Sequence, residues 1–325
     1  MRSNFTIGLL TLVFLSACSP SSDGPVSLIF DTDWWTDVDD ACAVRILSSA
    51  AKAGEIDLKG VCLSAVDSDS YESIGKFLAY EGLGDVLVGA DKQATDFKGH
   101  PLYRGVINAS SPRGGLSDAD VTDCVRFYRQ ILSSSRGKVD IVAVGFPNTL
   151  SRLLESGPDR FSRLSGVELV KKKVGTLYLM AGKYPEGREH NFCLSDRSRK
   201  AGKVVCDKWP GEIVFLGFEV GIEVVSGGSL PQDDLLHKVL EVHGSGGGRY
   251  MWDPLTLVMA IKGSPEAAGF SSVRGTCILN EETGENKFAE SPDGLHRYVK
   301  MQHEGSWYAA RLDAILSGKA VNECI

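Results

Sequence analysis

Short apolar runs rich in β-branched residues recur along the first two thirds of the chain, each separated from the next by a segment with helical spacing. The runs fall at 27–31, 58–64, 86–88, 139–144, 176–180 and 212–216. Helical segments lie at 40–52, 71–80, 120–133, 149–155 and 197–206, with two more at 233–242 and 254–262. Strands joined through a helix return to the same end of a sheet and so pair in parallel. The alternation therefore predicts an α/β fold, with a doubly wound, mainly parallel central sheet and helices on both faces. Residues 270–279 and 296–302, closed by a helix at 307–316, read as a small β-rich C-terminal addition. In such sheets ligands bind beyond the carboxyl ends of the strands. The segments in that position follow Asp31, Val144 and Met180.

The 325 residues are 43% hydrophobic and 24% charged, ordinary globular composition with enough apolar mass for one large core. A formal net charge of -7 offers no basic footprint for a phosphate backbone, which excludes nucleic acid polymers as the expected partner. A small-molecule ligand is the expectation, and a homo-oligomer is left open.

Arg2 precedes an apolar segment at 7–14 that is too short to span a bilayer and reads as an export signal. Its end, Leu15-Ser16-Ala17-Cys18, resembles a bacterial lipobox. The resemblance implies cleavage before Cys18, diacylation of that cysteine, and membrane contact only through the resulting anchor. Ser19, where an aspartate would signal retention at the inner membrane, implies the periplasmic side of the outer membrane. The organisation expected is thus a signal at 1–17, a tether at 18–25 and a single domain at 26–325. Seven cysteines follow Cys18, so at least one thiol stays free. Cys42 and Cys62 sit in apolar runs and read as core; Cys193 with Cys206 is one bridge the spacing permits without selecting it.

Five aspartates, Asp31, Asp33, Asp37, Asp39 and Asp40, fall within ten positions directly after the first apolar run. Repulsion among carboxylates a few ångströms apart and shielded from water is worth on the order of a few kcal/mol per pair, so cations or protons must offset it. Hard oxygen donors in this number suit Ca²⁺, which tolerates irregular carboxylate arrangements better than Mg²⁺ does. A solvated loop capping the following helix is the alternative.

The stretch DTDWWTDVDDA, 31–41, resembles the signature of the nucleoside hydrolases, the inosine-uridine nucleoside N-ribohydrolase family. Members carry DxDxGxDDA, and one branch carries two extra residues in the spacing seen here. Haloacid-dehalogenase phosphatases also place DxD after an apolar strand, but they require Thr or Val where Trp35 stands. Three further segments fit the hydrolases in order. VAVGFPNTLSRLL, 142–154, resembles a GPLTNLA element whose backbone carbonyl ligates calcium, here at Asn148. MAGKYPEGREHNF, 180–192, resembles a loop ending in an AEFN-like element that binds ribose hydroxyls, here through Glu189 and Asn191. RYMWDPLTLVMA, 249–260, resembles the HDPLA-like segment that supplies the last calcium ligand, here Asp253.

Carried over by position, Asp33, Asp40, Asp253 and the Asn148 carbonyl would hold Ca²⁺, and Asp33 would act as general base. Asp39 would hold a ribose hydroxyl and Asp31 would support the site from behind. The implied activity is Ca²⁺-dependent cleavage of the N-glycosidic bond of ribonucleosides. Cleavage of another riboside and ribose binding without turnover are the alternatives. Where many members carry a histidine able to protonate the leaving base, this chain has Trp252, whose face suits stacking on a purine. His190, Tyr250 and Arg249 are the nearby substitutes. Trp34 and Trp35 replace small residues, including the usual glycine, and are expected to wall the pocket. Residues 244–248 read as a mobile lid. The preferred base and the role of Asp37 are open.

Overall fold

In the computed structural model, which describes residues 24–99, 101–110 and 113–325, the first strand lies inside the sheet and is buried along most of its length. The chain runs β1 (Val26–Thr32), α1 (Asp39–Lys52), β2 (Ile56–Leu63), α2 (Ser70–Tyr80), β3 (Val88–Ala90), α3 (Tyr103–Ser110), β4 (Thr122–Asp123) and α4 (Cys124–Ser134). It continues through β5 (Val139–Ala143), α5 (Asn148–Glu155), α6 (Gly166–Lys173), β6 (Val174–Met180), β7 (Glu186–Arg188), α7 (His190–Cys193), α8 (Asp196–Lys208) and β8 (Glu212–Leu216). The last part comprises α9 (Phe218–Gly221), β9 (Val225–Ser226), α10 (Leu235–His243), β10 (Arg249–Tyr250), α11 (Trp252–Ile261), β11 (Phe270–Leu279), β12 (Glu285–Glu290), β13 (His296–Met301), α12 (Gly305–Leu316) and α13 (Val321–Cys324).

Strand periodicity divides the core in two. Leu28 and Phe30 of β1 face a layer that includes Val44, Phe77 and Leu255, whereas Ile29 faces one that includes Phe127, Leu150 and Val205. Successive side chains on a strand point to opposite faces, so these apolar residues require a helical layer on each side. The expected doubly wound sheet is what forms.

The sheet has 11 strands in the order β4-β3-β2-β1-β5-β6-β8-β13-β11-β12-β7. From β1 the chain winds outward through β2, β3 and β4, then returns to place β5 on the other side of β1. The winding direction reverses between β1 and β5, which opens a crevice beyond their carboxyl ends. The C-terminal strands are continuous with the main sheet: β13 pairs in parallel with β8, and β11 and β12 extend the sheet antiparallel. β7, from the loop after β6, closes that edge on β12. Among the described residues no helix is long and apolar enough to cross a membrane. The proposed signal segment and Cys18 lie outside the described residues.

The cysteines at 42, 62, 124, 193, 206, 277 and 324 are free thiols. Cys42 and Cys62 are buried, as apolar context implies. Cys206 hydrogen-bonds with Cys277 rather than pairing with Cys193.

Candidate active site

The crevice between β1 and β5 is where the acidic loop turns into α1. Thr32 Oγ1 donates to Asp40 Oδ1 and accepts the Trp34 N–H at 3.1 Å, folding the loop back onto the first turn of the helix. Trp34 takes the left-handed backbone conformation at φ 49°, which suits glycine and is costly for a bulky residue. Its surroundings fix it there. The buried Arg104 donates to its carbonyl while pairing with Asp67 and Asp69, and Trp34 Nε1 donates to Ser73 Oγ at 3.0 Å. The ring packs on Phe77 and Tyr103 in the core, so Trp34 does not wall the pocket; Trp35 alone of the pair lines it. Arg104, which no local motif marks, is the residue that anchors this turn.

The turn brings carboxylates together. Asp39, Asp40 and Asp253 offer oxygens all within 4.8 Å of one another, all buried. Asp253 arrives in the first turn of α11, and its N–H donates to Asp39 Oδ2 at 3.1 Å. Asp33 lines the same cavity and accepts the Trp35 N–H at 3.1 Å. Burial, reinforced by the neighbouring aspartates, holds Asp33, Asp39 and Asp253 well above the usual carboxylate range. Burial likewise pushes Asp40 up to about 6, against the hydrogen bond from Thr32. Carboxylates this crowded are costly unless protons or a cation neutralise them. The all-oxygen donor set fits a hard divalent ion such as Ca²⁺.

The cavity, about 250 Å³, is also lined by Glu189, Asn191, Trp35, His190 and Trp252. Glu189 caps the short α7, accepting N–H groups of Asn191 at 2.7 Å and Gly182 at 2.9 Å; burial pushes its pKa up to about 7. The Asn191 amide donates to the carbonyls of Val144 and Met180 at 2.8 and 2.9 Å. Its NH₂ is thus committed, leaving Oδ1 to accept from a ligand hydroxyl. Trp252 packs with the Arg249 guanidinium 5.5 Å from its ring centre and with Phe218, stacked at 5.6 Å. Its Nε1 donates to the Phe218 carbonyl at 2.8 Å. His190 stacks on Trp35, and desolvation lowers its pKa.

Asp37 bonds Arg249 through two guanidinium nitrogens, joining the acidic loop to the β9–β10 ribbon across the rim of the cavity. Burial raises the Asp37 pKa, but these bonds outweigh it and leave the group below its ordinary value. Asn148 is buried at the start of α5 and does not line the cavity; its side-chain amide donates to the Ser64 carbonyl and to Asp91 at 2.9 and 2.7 Å. Asp31 lies beneath the site, where Tyr128 Oη and Thr149 Oγ1 donate to its Oδ2 at 2.5 and 2.6 Å. Burial pushes its pKa up to about 7, so a large part of its population is protonated at neutral pH. Tyr128→Phe removes one buried donor; a loss of about 1–2 kcal/mol in urea unfolding is expected, and an unchanged midpoint would remove Tyr128 from the support of Asp31.

The sheet order, the switch point and the acidic crevice define a nucleoside hydrolase fold. Solved structures with this fold include a plant nucleoside hydrolase, 16% identical, with a TM-score of 0.69 over 90% of this chain and 99% of that one. The purine-preferring ribonucleoside hydrolase of Gardnerella vaginalis is 16% identical, with a TM-score of 0.67 over 91% and 98%. The type III effector protein XopQ, in complex with adenosine diphosphate ribose, is 18% identical, with a TM-score of 0.61 over 93% and 94%. No family model and no curated protein matches the chain in sequence.

Proposed function

We propose that the protein is a Ca²⁺-dependent nucleoside N-ribohydrolase, exported and held on the periplasmic side of the outer membrane by a lipid on Cys18. The observation that carries the enzymatic reading is the convergence of Asp33, Asp39, Asp40 and Asp253 with Glu189 and Asn191 on one cavity at the switch point. Asp40 and Asp253, with Asp33 on the same cavity, are the proposed ligands, and Asp39 is close enough to Asp40 and Asp253 to join them or to hold a hydroxyl; Asn148, expected from the sequence to add a carbonyl, does not line the cavity. Bound there, a divalent cation supplies Lewis-acid polarisation of a water and of the sugar's vicinal hydroxyls.

The chain's own groups do the rest. Asp33 takes the proton of the attacking water as its oxygen bonds to the anomeric carbon, and the base leaves with the electrons of the broken bond and takes a proton from solvent. Glu189 and the Asn191 Oδ1 orient the ribose by accepting from its hydroxyls. The carboxylates beneath the ring stabilise the positive charge that builds on the sugar in an oxocarbenium-like transition state. Trp252 and Trp35 offer aromatic faces to the base. Trp252 cannot protonate it, and its N–H is already spent on Phe218.

Release of reducing sugar from a panel of purine and pyrimidine ribonucleosides, with and without a chelator, tests this reading. Metal-dependent release from at least one nucleoside is expected. A second reading, riboside binding without turnover, is favoured by Trp252 standing where an acid would be useful. Calorimetric binding of ribose with no release from any nucleoside would select it.

A further inference from the structure

At the opposite end of the sheet from the carboxylates, the amino ends of the strands hold a depression of about 480 Å³ lined by Ser27, Lys59, Ser135, Arg136 and Lys138, among others. Its cations are brought together by strand register. Val139 pairs with Val174, which sets Lys138 beside the end of α6, and Lys173 Nζ donates to the Ser135 carbonyl at 2.5 Å. Lys59 is paired with Asp57. Arg136 and Lys138 are exposed and take part in no ion pair among the described residues, and Lys171 and Lys172 are exposed nearby in the chain. Asp57 also lines the depression and Asp140 attracts Lys138, but Lys59, Arg136, Lys138 and Lys173 outnumber these two carboxylates and leave an excess of positive charge with serine hydroxyls beside it, in a protein whose net charge is -7.

Ser27 is the second residue of β1, so this depression adjoins the point where the chain enters the domain. Cys18 to Val26 spans eight peptide links, at most about 28 Å of extended chain. A domain of this length has a diameter of about 50 Å. If Cys18 sits in a bilayer, the tether is too short for the far end of the domain to reach that membrane.

We propose that this basic end of the sheet rests on the membrane, with Arg136, Lys138 and Lys173 receiving the phosphates of anionic phospholipids, and that the carboxylate cavity thereby faces away from the bilayer. The proposal rests on the lipid-anchor reading of Cys18 and is independent of the enzymatic one. Each basic side chain near an anionic leaflet strengthens attachment roughly fivefold. The effect weakens as salt shortens the Debye length.

The full, lipid-modified protein in vesicles of phosphatidylethanolamine and phosphatidylglycerol tests it, with phosphatidylcholine vesicles as the neutral arm. Lysine acetylation is read by mass spectrometry. Lys59, Lys138 and Lys173 are expected to react at least fivefold more slowly in the anionic vesicles, and Lys183, exposed in the loop at the opposite end, equally in both. The difference should vanish at high salt and in the double variant Arg136→Glu, Lys138→Glu. Equal reactivity in both vesicles, with protein still floating on each, overturns the orientation alone. An unmodified Cys18 and protein that floats on neither overturns the anchor and the orientation together. Equal protection by inorganic phosphate without vesicles makes the depression a phosphate site and overturns the lipid assignment.

Discussion

Asp33→Asn is expected to lower kcat for the best nucleoside by about 10²–10⁴-fold, the range for removal of a general base, with little change in KM. Because Asp33 is also a proposed Ca²⁺ ligand, kcat is read at saturating Ca²⁺. Asp33 accepts the Trp35 N–H at 3.1 Å, and an asparagine Oδ1 can keep that bond. The cavity would lose one of several mutually repelling carboxylates, so the fold should be no less stable. An unchanged or raised unfolding midpoint beside the fall in kcat separates loss of chemistry from loss of structure. Turnover above a tenth of the parent value would remove Asp33 as the base and move attention to Asp39, which also lines the cavity.

The acidic cluster was legible because an apolar run ending in closely spaced aspartates has few physical explanations. Strand periodicity fixed Leu28 and Phe30 on one face and Ile29 on the other, and the charge therefore had to emerge at the end of a buried strand. Elements with strong spacing, such as α1, α5 and α11, were legible within a residue or two. The short α3 was not, and it carries Arg104. An arginine in a short mixed stretch reads as surface. Its burial depends on Asp67, Asp69 and the Trp34 carbonyl, partners 35 to 70 positions away that no local pattern reveals.

Trp34 shows a different limit. Neighbouring tryptophans between metal-type aspartates suggest a shared role, but a backbone turned to φ 49° sends one ring into the core and leaves the next on the cavity. The role of Asp37 needed the structure for the reason that Arg104 did. Its partner, Arg249, is 212 positions away and arrives on a ribbon of two very short strands.

Without divalent metal, the protein is expected to melt at a higher temperature at pH 5 than at pH 8, and saturating Ca²⁺ should narrow that difference. The sign follows from proton counting. Asp40 is held at about 6, and Asp31 and Glu189 at about 7, all above their ordinary values of 3.8 to 4.5. Between those limits the folded chain binds protons that the unfolded chain does not, so stability is greatest at the acid side and is lost as pH rises through the folded values. Asp33, Asp39 and Asp253 add to the same trend. His296, lowered to about 4 by burial, and His190, lowered by desolvation, oppose it below pH 6.5, but they are two groups against several. A divalent ion competes with these protons and binds better as they leave. At one hundred times Kd it adds about 2.7 kcal/mol, enough to raise the melting temperature by several degrees at pH 8. Asp253→Asn should flatten the metal-free pH slope and abolish most of the Ca²⁺ response, since it removes both a repelling charge and a donor. Melting curves from pH 5 to 8 that superpose with and without Ca²⁺ would mean the carboxylates are neutralised by protons alone, and the metal would leave the mechanism.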